Sequence, residues 1–198
     1  MSTPYHHGSL RHVLLEEGRL LLAERGVAAV TLRELARRAG VSHAAPLRHF
    51  SDREALLDAI AAKGFDELTA ALESADVATD LHERLSIYSH THVHFAVANA
   101  ALMELMFSRD LNPRNGGAAA QSAARFFTLG ALLLGESDPQ ALGPLPYLLT
   151  GMLEGISSLA SGGRIPKDRV EEITAAAVEV MLPAIQKQLR NPHTARGE

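Results

Sequence analysis

The stretch TLRELARRAGVSHAAPLRHF, residues 31–50, decides how this chain folds. Thr31 stands three residues before Glu34, which is the spacing of a capping box at the start of a helix. Apolar residues then recur at helical spacing, and Gly40 offers the left-handed conformation that ends a helix. A serine two residues later is a favoured N-cap, so a second short helix is predicted over about 42–50. Two helices around a glycine turn are the pattern of a helix-turn-helix.

Further helices are predicted on both sides of this motif. Ser51 and Glu54 repeat the capping-box spacing, and the apolar positions after them predict a long helix to about residue 74. Before the motif, a helix over 12–24 is predicted to end at Gly26.

The rest of the chain is also predicted to be helical, because no segment alternates apolar and polar residues between hairpin turns. Breaks at Asn112-Pro113 and Asp138-Pro139 separate the helices, Pro144 and Pro146 are expected to bend one, and Pro183 is expected to kink the last. The predicted helices are 79–99, 100–110, 117–135, 140–161 and 167–190. The fold class is therefore all-α, with about nine helices.

Composition indicates a globular chain without disulfides, since 46% of the residues are hydrophobic and none is cysteine. The N-terminus lacks the apolar run of a signal peptide. The longest strongly apolar stretch, about 126–135, is too short to span a bilayer. We expect a cytoplasmic protein without a cofactor.

Charge is divided unevenly along the chain. Residues 1–53 carry eight arginines and five acidic residues, a net charge of +3, whereas the whole chain carries −4 and the remainder therefore −7. The basic residues 1–53 are called the head here, and the acidic remainder is called the body. A basic part joined to an acidic one is typical of a module that binds a polyanion. Charges scattered over a mixed surface would give the same count. The uneven division of charge is informative because its basic part coincides with the helix-turn-helix.

A helix-turn-helix places its second helix in the major groove of DNA, with the N-terminal residues on the base edges. His43 and Ala44 are the candidates for base edges, Ala44 through a thymine methyl group. Ser42 and Thr31 would either contact DNA or act only as N-caps. The candidates for phosphate contacts are Thr31, Arg48, His49 and Arg53. Because one short helix is too small a contact for tight specific binding, we expect a symmetric dimer on a palindromic site.

The order TLRELARRAGVS, LRHF and SDREALL resembles the TetR (tetracycline repressor) family of bacterial one-component regulators, over about residues 10–60. The resemblance implies an all-α homodimer with an N-terminal DNA-binding domain, here 1–53, and a C-terminal ligand-binding and dimerisation domain, here 54–198. It also implies a repressor that a small molecule releases from its operator. The positions matching the family's DNA-facing places are Thr31, Ser42, His43, Ala44, Arg48, His49 and Arg53.

The sequence departs from the family pattern in two places. Leu47 stands where the family commonly has a tyrosine that touches the phosphate backbone, so either Leu47 packs inward or a contact is lost. The head also resembles a subgroup whose ligand domain carries a Trp and a His-Gly signature. This chain has no tryptophan, and Glu154-Gly155 replaces the His-Gly, so a different ligand is expected.

A ligand site in the body needs apolar walls and a few polar groups, and Met and Phe at helical spacing are equally typical of plain core. We predict a mostly apolar or aromatic ligand. The candidate ligand-binding residues are Phe65, Tyr88, His90, His94, Phe95, Met103, Met106, Phe107, Phe126 and Phe127. The last two long helices carry broad apolar stripes and are predicted to form the dimer face.

Two other functions stay open on the sequence. His90 and His94 share one helical face and could bind a metal with a third ligand, in a metal-dependent enzyme. However, no nucleophile elbow, phosphate loop or paired catalytic motif is present, so we expect no enzyme. A helical protein-interaction adaptor that has lost DNA binding is the second alternative, and only Leu47 favours it.

Overall fold

The computed structural model describes residues 7–73, 80–109, 116–134 and 144–190. These ranges hold eight α-helices and three short 3-10 turns, without a strand, which confirms the all-α class. The breaks predicted at 112–113 and 138–139 lie outside the described residues. The helices are α1 (His7–Arg25), α2 (Leu32–Arg38), α3 (Arg53–Glu73), α4 (Leu81–Ala98), α5 (Ala100–Phe107), α6 (Ala118–Leu133), α7 (Pro144–Ser161) and α8 (Val170–Arg190).

The chain divides into two compact units. The first comprises residues up to 65 together with 101–123, and the second comprises 66–100 together with the residues from 124 onward. No described helix combines the length and apolar character that crossing a bilayer requires.

In the first unit, α2 packs on α1 and the glycine turn follows as predicted. Leu14 and Leu21 of α1 and Leu35 of α2 are completely buried. Gly40 has a φ of 67°, the left-handed region in which a side chain would be strained. The next residue, Val41, donates its N–H to the carbonyl of Ala36 over 3.0 Å, which closes the end of α2.

The residue that caps α3 is Asp52 and not the predicted Ser51. The helix begins at Arg53, and the Oδ1 atom of Asp52 accepts the N–H of Ala55 over 2.8 Å. Ser51, the predicted cap, donates its hydroxyl to Asp52 instead. Aspartate is as good a cap as serine and here lies one residue closer to the helix, so the serine and glutamate spacing misplaced the start by one residue.

A carboxylate of α3 also caps α6. Asp58 Oδ2 accepts the N–H of Ala118 over 2.8 Å and that of Ala119 over 3.4 Å. These are free donors of the first turn of α6, so one side chain satisfies two of them. The carboxylate lies at the positive end of the helix dipole, which stabilises its charge.

The second unit is built around α4, which contacts both α7 and α8, while these two helices contact each other. Tyr88 and Val93 of α4 and Leu153 of α7 lie in its core. Of the helix predicted over 140–161, the structure describes Pro144–Ser161 as α7, and residues 140–143 lie outside the described residues.

Candidate functional site

Thr31 is the N-cap of α2, as predicted. Its Oγ1 atom accepts the N–H of Glu34 over 3.2 Å. The Glu34 carboxylate binds the guanidinium of Arg37 over 2.6 Å and lies 3.5 Å from that of Arg38. Arg38 also reaches Glu24 on α1 over 2.5 Å, so its charge ties α2 to α1. Arg37 is exposed, whereas Arg38 is mostly covered by these partners.

The pairing of Glu34 predicts a stability loss in acid. Arg37, and then Arg38, lower the pKa of Glu34 from 4.5 to about 2. Because the folded pKa lies below the unfolded one, this stabilisation is present above pH 4.5 and disappears as the pH falls towards 2. Urea midpoints should be lower for Glu34→Gln than for the native chain at neutral pH, and should converge in acid. Glu73→Gln, at an exposed carboxylate without an ion pair in the described part of the chain, should show no such convergence.

The segment 42–50, named here the recognition segment, is not the α-helix predicted. It is a series of turns with a 3-10 helix at Pro46–Arg48. The N–H groups of Ala45, Arg48 and His49 each bond to the carbonyl three residues before them. Pro46 lacks the N–H that would reach the carbonyl of Ser42, and Ala45 takes that acceptor at 3.0 Å. Proline thus favours the tighter helix over this short segment.

The recognition segment still exposes the side chains predicted to meet DNA. Ser42, His43, Ala44 and Arg48 are exposed, while His49 is half-buried. Pro46 and Phe50 point inward. Leu47 is 56% exposed, so it does not pack inward. Of the two possibilities for this residue, the structure therefore favours the loss of a tyrosine-type contact.

Arg53 has a structural task in the first unit. Its Nε atom donates to the carbonyl of Val30 over 2.8 Å, and its Nη2 atom donates to the carbonyl of Val27 over 2.6 Å. Both carbonyls lie in the connection between α1 and α2, so the guanidinium ties this connection to the first residue of α3. A phosphate contact would have to share the same guanidinium with these bonds.

The ten candidate ligand-binding residues are divided between the two units. Four lie in the first unit, where Phe65 packs edge-on against Phe107 at 5.4 Å between ring centroids. Six lie in the second unit, where Phe126, Phe127 and Tyr147 form a chain of ring contacts. The first-unit residues are Phe65, Met103, Met106 and Phe107, and the second-unit residues are Tyr88, His90, His94, Phe95, Phe126 and Phe127.

His90 and His94 lie against a carboxylate of α8. His90 Nδ1 is 2.8 Å from Glu171 Oε2, and His94 Nε2 contacts the other oxygen of the same carboxylate. These contacts lower the pKa of Glu171, through His94 first. Among the residues that the structure describes, no group of three or more His, Asp or Glu side chains is placed to hold a metal ion.

The buried histidine of α4 is His92, which the sequence candidates omitted. Its side chain is 0% exposed, and its Nε2 atom lies 2.6 Å from Glu154 Oε1 on α7. Its ring is 6.0 Å from that of Phe126 and 6.3 Å from that of Tyr88. The signal was available, since His92 shares the helical face of Leu85 and Tyr88, whereas the neighbouring histidines do not.

The comparisons with known proteins cover both the head and the whole chain. The family described as bacterial regulatory proteins, tetR family, matches residues 14–60. A protein of unknown function from Rhodococcus sp. RHA1 is 37% identical over 92% of this chain and 98% of its own, with a TM-score of 0.79. No curated protein matches the chain.

Two structures named as family members share the fold at lower identity. A bacterial regulatory protein of the tetR family from Rhodococcus RHA1 is 20% identical, over 89% of this chain and 96% of its own, with a TM-score of 0.64. The TetR family transcriptional regulator PfmR from Thermus thermophilus is 23% identical, over 86% and 97%, with a TM-score of 0.60. Residues 14–60 of this chain, which contain the helix-turn-helix, therefore match the tetR family of bacterial regulatory proteins, and the whole chain shares the fold of these structures.

Proposed function

We propose that this protein is a sequence-specific DNA-binding transcriptional regulator, a cytoplasmic repressor that binds a palindromic operator as a homodimer and is released by a small ligand. The observation that carries the proposal is the recognition segment, which exposes His43, Ala44 and Arg48 behind a capped α2. Residues 1–53 serve as the DNA-binding domain, and 54–198 serve in ligand binding and dimerisation. The basic balance of the head supports this division.

Within the head, two kinds of contact are assigned. His43 and Ala44 read base edges, because they are exposed near the start of the recognition segment. Arg48 and His49 bind phosphates, together with Arg53, the N-cap Thr31, and Ser42. Ser42 is not the cap predicted, since the N-cap of the 3-10 helix is Ala45. Leu47, exposed between them, contributes no hydrogen bond. The remaining contacts of a dimer then supply the affinity.

Two alanine variants should separate these roles. Arg48→Ala removes a phosphate contact, so it should weaken binding to operator and random DNA alike and reduce the salt slope by about 1 for each subunit. His43→Ala removes a base contact, so it should weaken operator binding alone, by about 1–3 kcal/mol for each half-site. Fluorescence anisotropy at several salt concentrations measures both effects. An unchanged operator preference in His43→Ala would remove this residue from base recognition.

The proposed dimer face is the outer side of α7 and α8. Leu148 on α7 and Val180 on α8 are large apolar residues that are mostly exposed. A Cβ added at Gly151 or Gly155 would meet no atom within 4 Å, so this side of α7 is open in the monomer. Small residues between large apolar ones allow helices to approach closely, as in a four-helix bundle of two subunits.

In this proposal the ligand controls DNA binding because it binds one conformation of the body more tightly than another. A ligand that binds the body better in a conformation unsuited to the operator lowers operator affinity by the same coupling free energy. The aromatic residues of the second unit support an apolar or aromatic ligand. The resemblance to the subgroup with the Trp and His-Gly signature is limited to the head. In the body, Glu154 stands in place of the histidine of that signature and binds His92.

The decisive experiment is a gel shift with DNA from just upstream of the gene, at two salt concentrations and with random competitor. Selective, dimeric binding that resists competitor supports the proposal. Binding lost entirely to competitor would mean that this DNA is not the operator. No binding even at low salt would overturn the proposal and favour the adaptor, whose supporting observation is the exposed Leu47.

A further inference from the structure

A small cavity in the second unit lies between α4, the end of α6 and α7. Its volume of about 10 Å³ is close to the room needed by one water molecule. Four leucine side chains form most of its wall, and α4 adds an arginine and a tyrosine. The lining residues are Arg84, Leu85, Tyr88, Gly130, Leu133, Leu134 and Leu149.

The guanidinium of Arg84 is incompletely hydrogen-bonded among the described residues. Its Nε atom is buried and has no hydrogen-bond partner in the part of the chain that the structure describes. Two other arginines of the second unit are paired, since Arg125 binds Asp66 and Arg169 binds Glu172. A buried donor left unpaired is unfavourable, and more so when the group is charged. This arrangement is favourable only when an acceptor, best an anion, reaches the guanidinium.

We propose that this cavity is the polar end of the ligand site and that the ligand is an apolar carboxylic acid. Its carboxylate accepts hydrogen bonds from the Arg84 guanidinium and the Tyr88 hydroxyl, and its hydrocarbon part lies among the leucines. The inference rests on the proposed ligand control and names the ligand class.

Tyr88 suits the role of a second donor. Its side chain is buried, and burial, with a smaller effect of Glu154, raises its pKa well above the usual value. The hydroxyl therefore stays protonated, as donation to a carboxylate requires. Glu154 itself, the carboxylate that acts on Tyr88, is engaged by the Nε2 atom of His92.

The narrowness of the cavity links ligand entry to movement. A Cβ placed on Gly130 would already lie 3.3 Å from the Tyr88 hydroxyl, so the glycine leaves this gap open. A ligand larger than a water must displace α4 or its neighbours before the hydrocarbon part can enter. The ligand then stabilises a state with a wider gap, which is the differential affinity that ligand control requires.

Titration calorimetry on the full chain tests the ligand class. The probes are octanoate and phenylacetate, each with the alcohol of the same carbon skeleton. We expect the acids to bind about 10-fold to 100-fold more tightly than the alcohols, because a guanidinium binds a carboxylate more strongly than a neutral hydroxyl. Arg84→Gln should abolish this preference, while Arg84→Lys should keep part of it. Gly130→Ala should weaken acid and alcohol together.

The matched control is Arg164→Gln, at an exposed arginine of the same unit that does not line the cavity. It should keep the full preference for acids. Equal binding of acids and alcohols, no binding of either, or a preference that survives Arg84→Gln would overturn the inference. If Arg84→Gln fails to fold by circular dichroism, the native chain and Arg84→Lys decide. Gel shifts in parallel separate the two proposals, since acid binding by a chain that ignores DNA would refute only the proposed function.

Discussion

Val180→Asp is expected to convert the dimer into monomers and, with it, to abolish tight operator binding. Val180 is 68% exposed on α8, within the proposed dimer face. In a symmetric dimer the substitution would bury two unpaired carboxylates, one from each subunit. Because an uncompensated buried charge costs several kcal/mol, the dimer dissociation constant should rise by about 100-fold or more. Sedimentation equilibrium measures this change directly, and the gel shift reports its effect on DNA binding.

Val97→Asp is the matched control for this experiment. Val97 is also a valine, is 37% exposed, and lies on α4 rather than on either helix of the proposed dimer face. The control should remain dimeric and bind DNA like the native chain. If Val180→Asp stayed dimeric, the subunits would have to meet through another face, and the role assigned to α7 and α8 would be wrong.

The second large effect is expected at the buried pair of His92 and Glu154. Glu154→Leu should destabilise the fold by about 3 kcal/mol, because it leaves a fully buried imidazole whose Nδ1 atom already has no partner among the described residues. His92→Leu should cost less, on the order of 1 kcal/mol, since Glu154 is 26% exposed and can turn to water. Urea unfolding measures both, at one fixed protein concentration because the proposed dimerisation would also contribute to apparent stability.

The double variant, with leucine at both positions, provides the control. Two apolar side chains leave no unpaired group, so its stability should exceed that of Glu154→Leu alone. The coupling between the substitutions then measures the interaction of the pair. Equal losses from the two single substitutions, adding up in the double variant, would show that the contact contributes nothing beyond packing.

The sequence predicted the helices well because their signals are local. Thr31 and Gly40 act as predicted, since a cap and a left-handed turn depend on residues within one turn of the chain. The same reasoning failed where two local signals competed. Pro46 converted a predicted α-helix into a 3-10 turn, and Asp52 replaced Ser51 as the cap of α3.

The candidate ligand residues were harder to predict because burial and pairing depend on distant parts of the chain. His90 and His94 were chosen for their spacing, yet their partner Glu171 lies far along the sequence on α8. The unpaired Nε atom of Arg84, among the described residues, is visible only once α6 and α7 are placed around α4. Aromatic and methionine residues predicted a core, and the sequence alone did not show which of them lie together.

The bonds of Arg53 have a mechanical consequence. One side chain fastens the connection between α1 and α2 to the first turn of α3, so these three helices cannot slide past one another without breaking two bonds to main-chain oxygens. A force applied along α3 would therefore move these three helices as one piece and leave the surface proposed to read DNA undeformed. In the proposed regulator, such a movement would displace the reading surface without changing its shape.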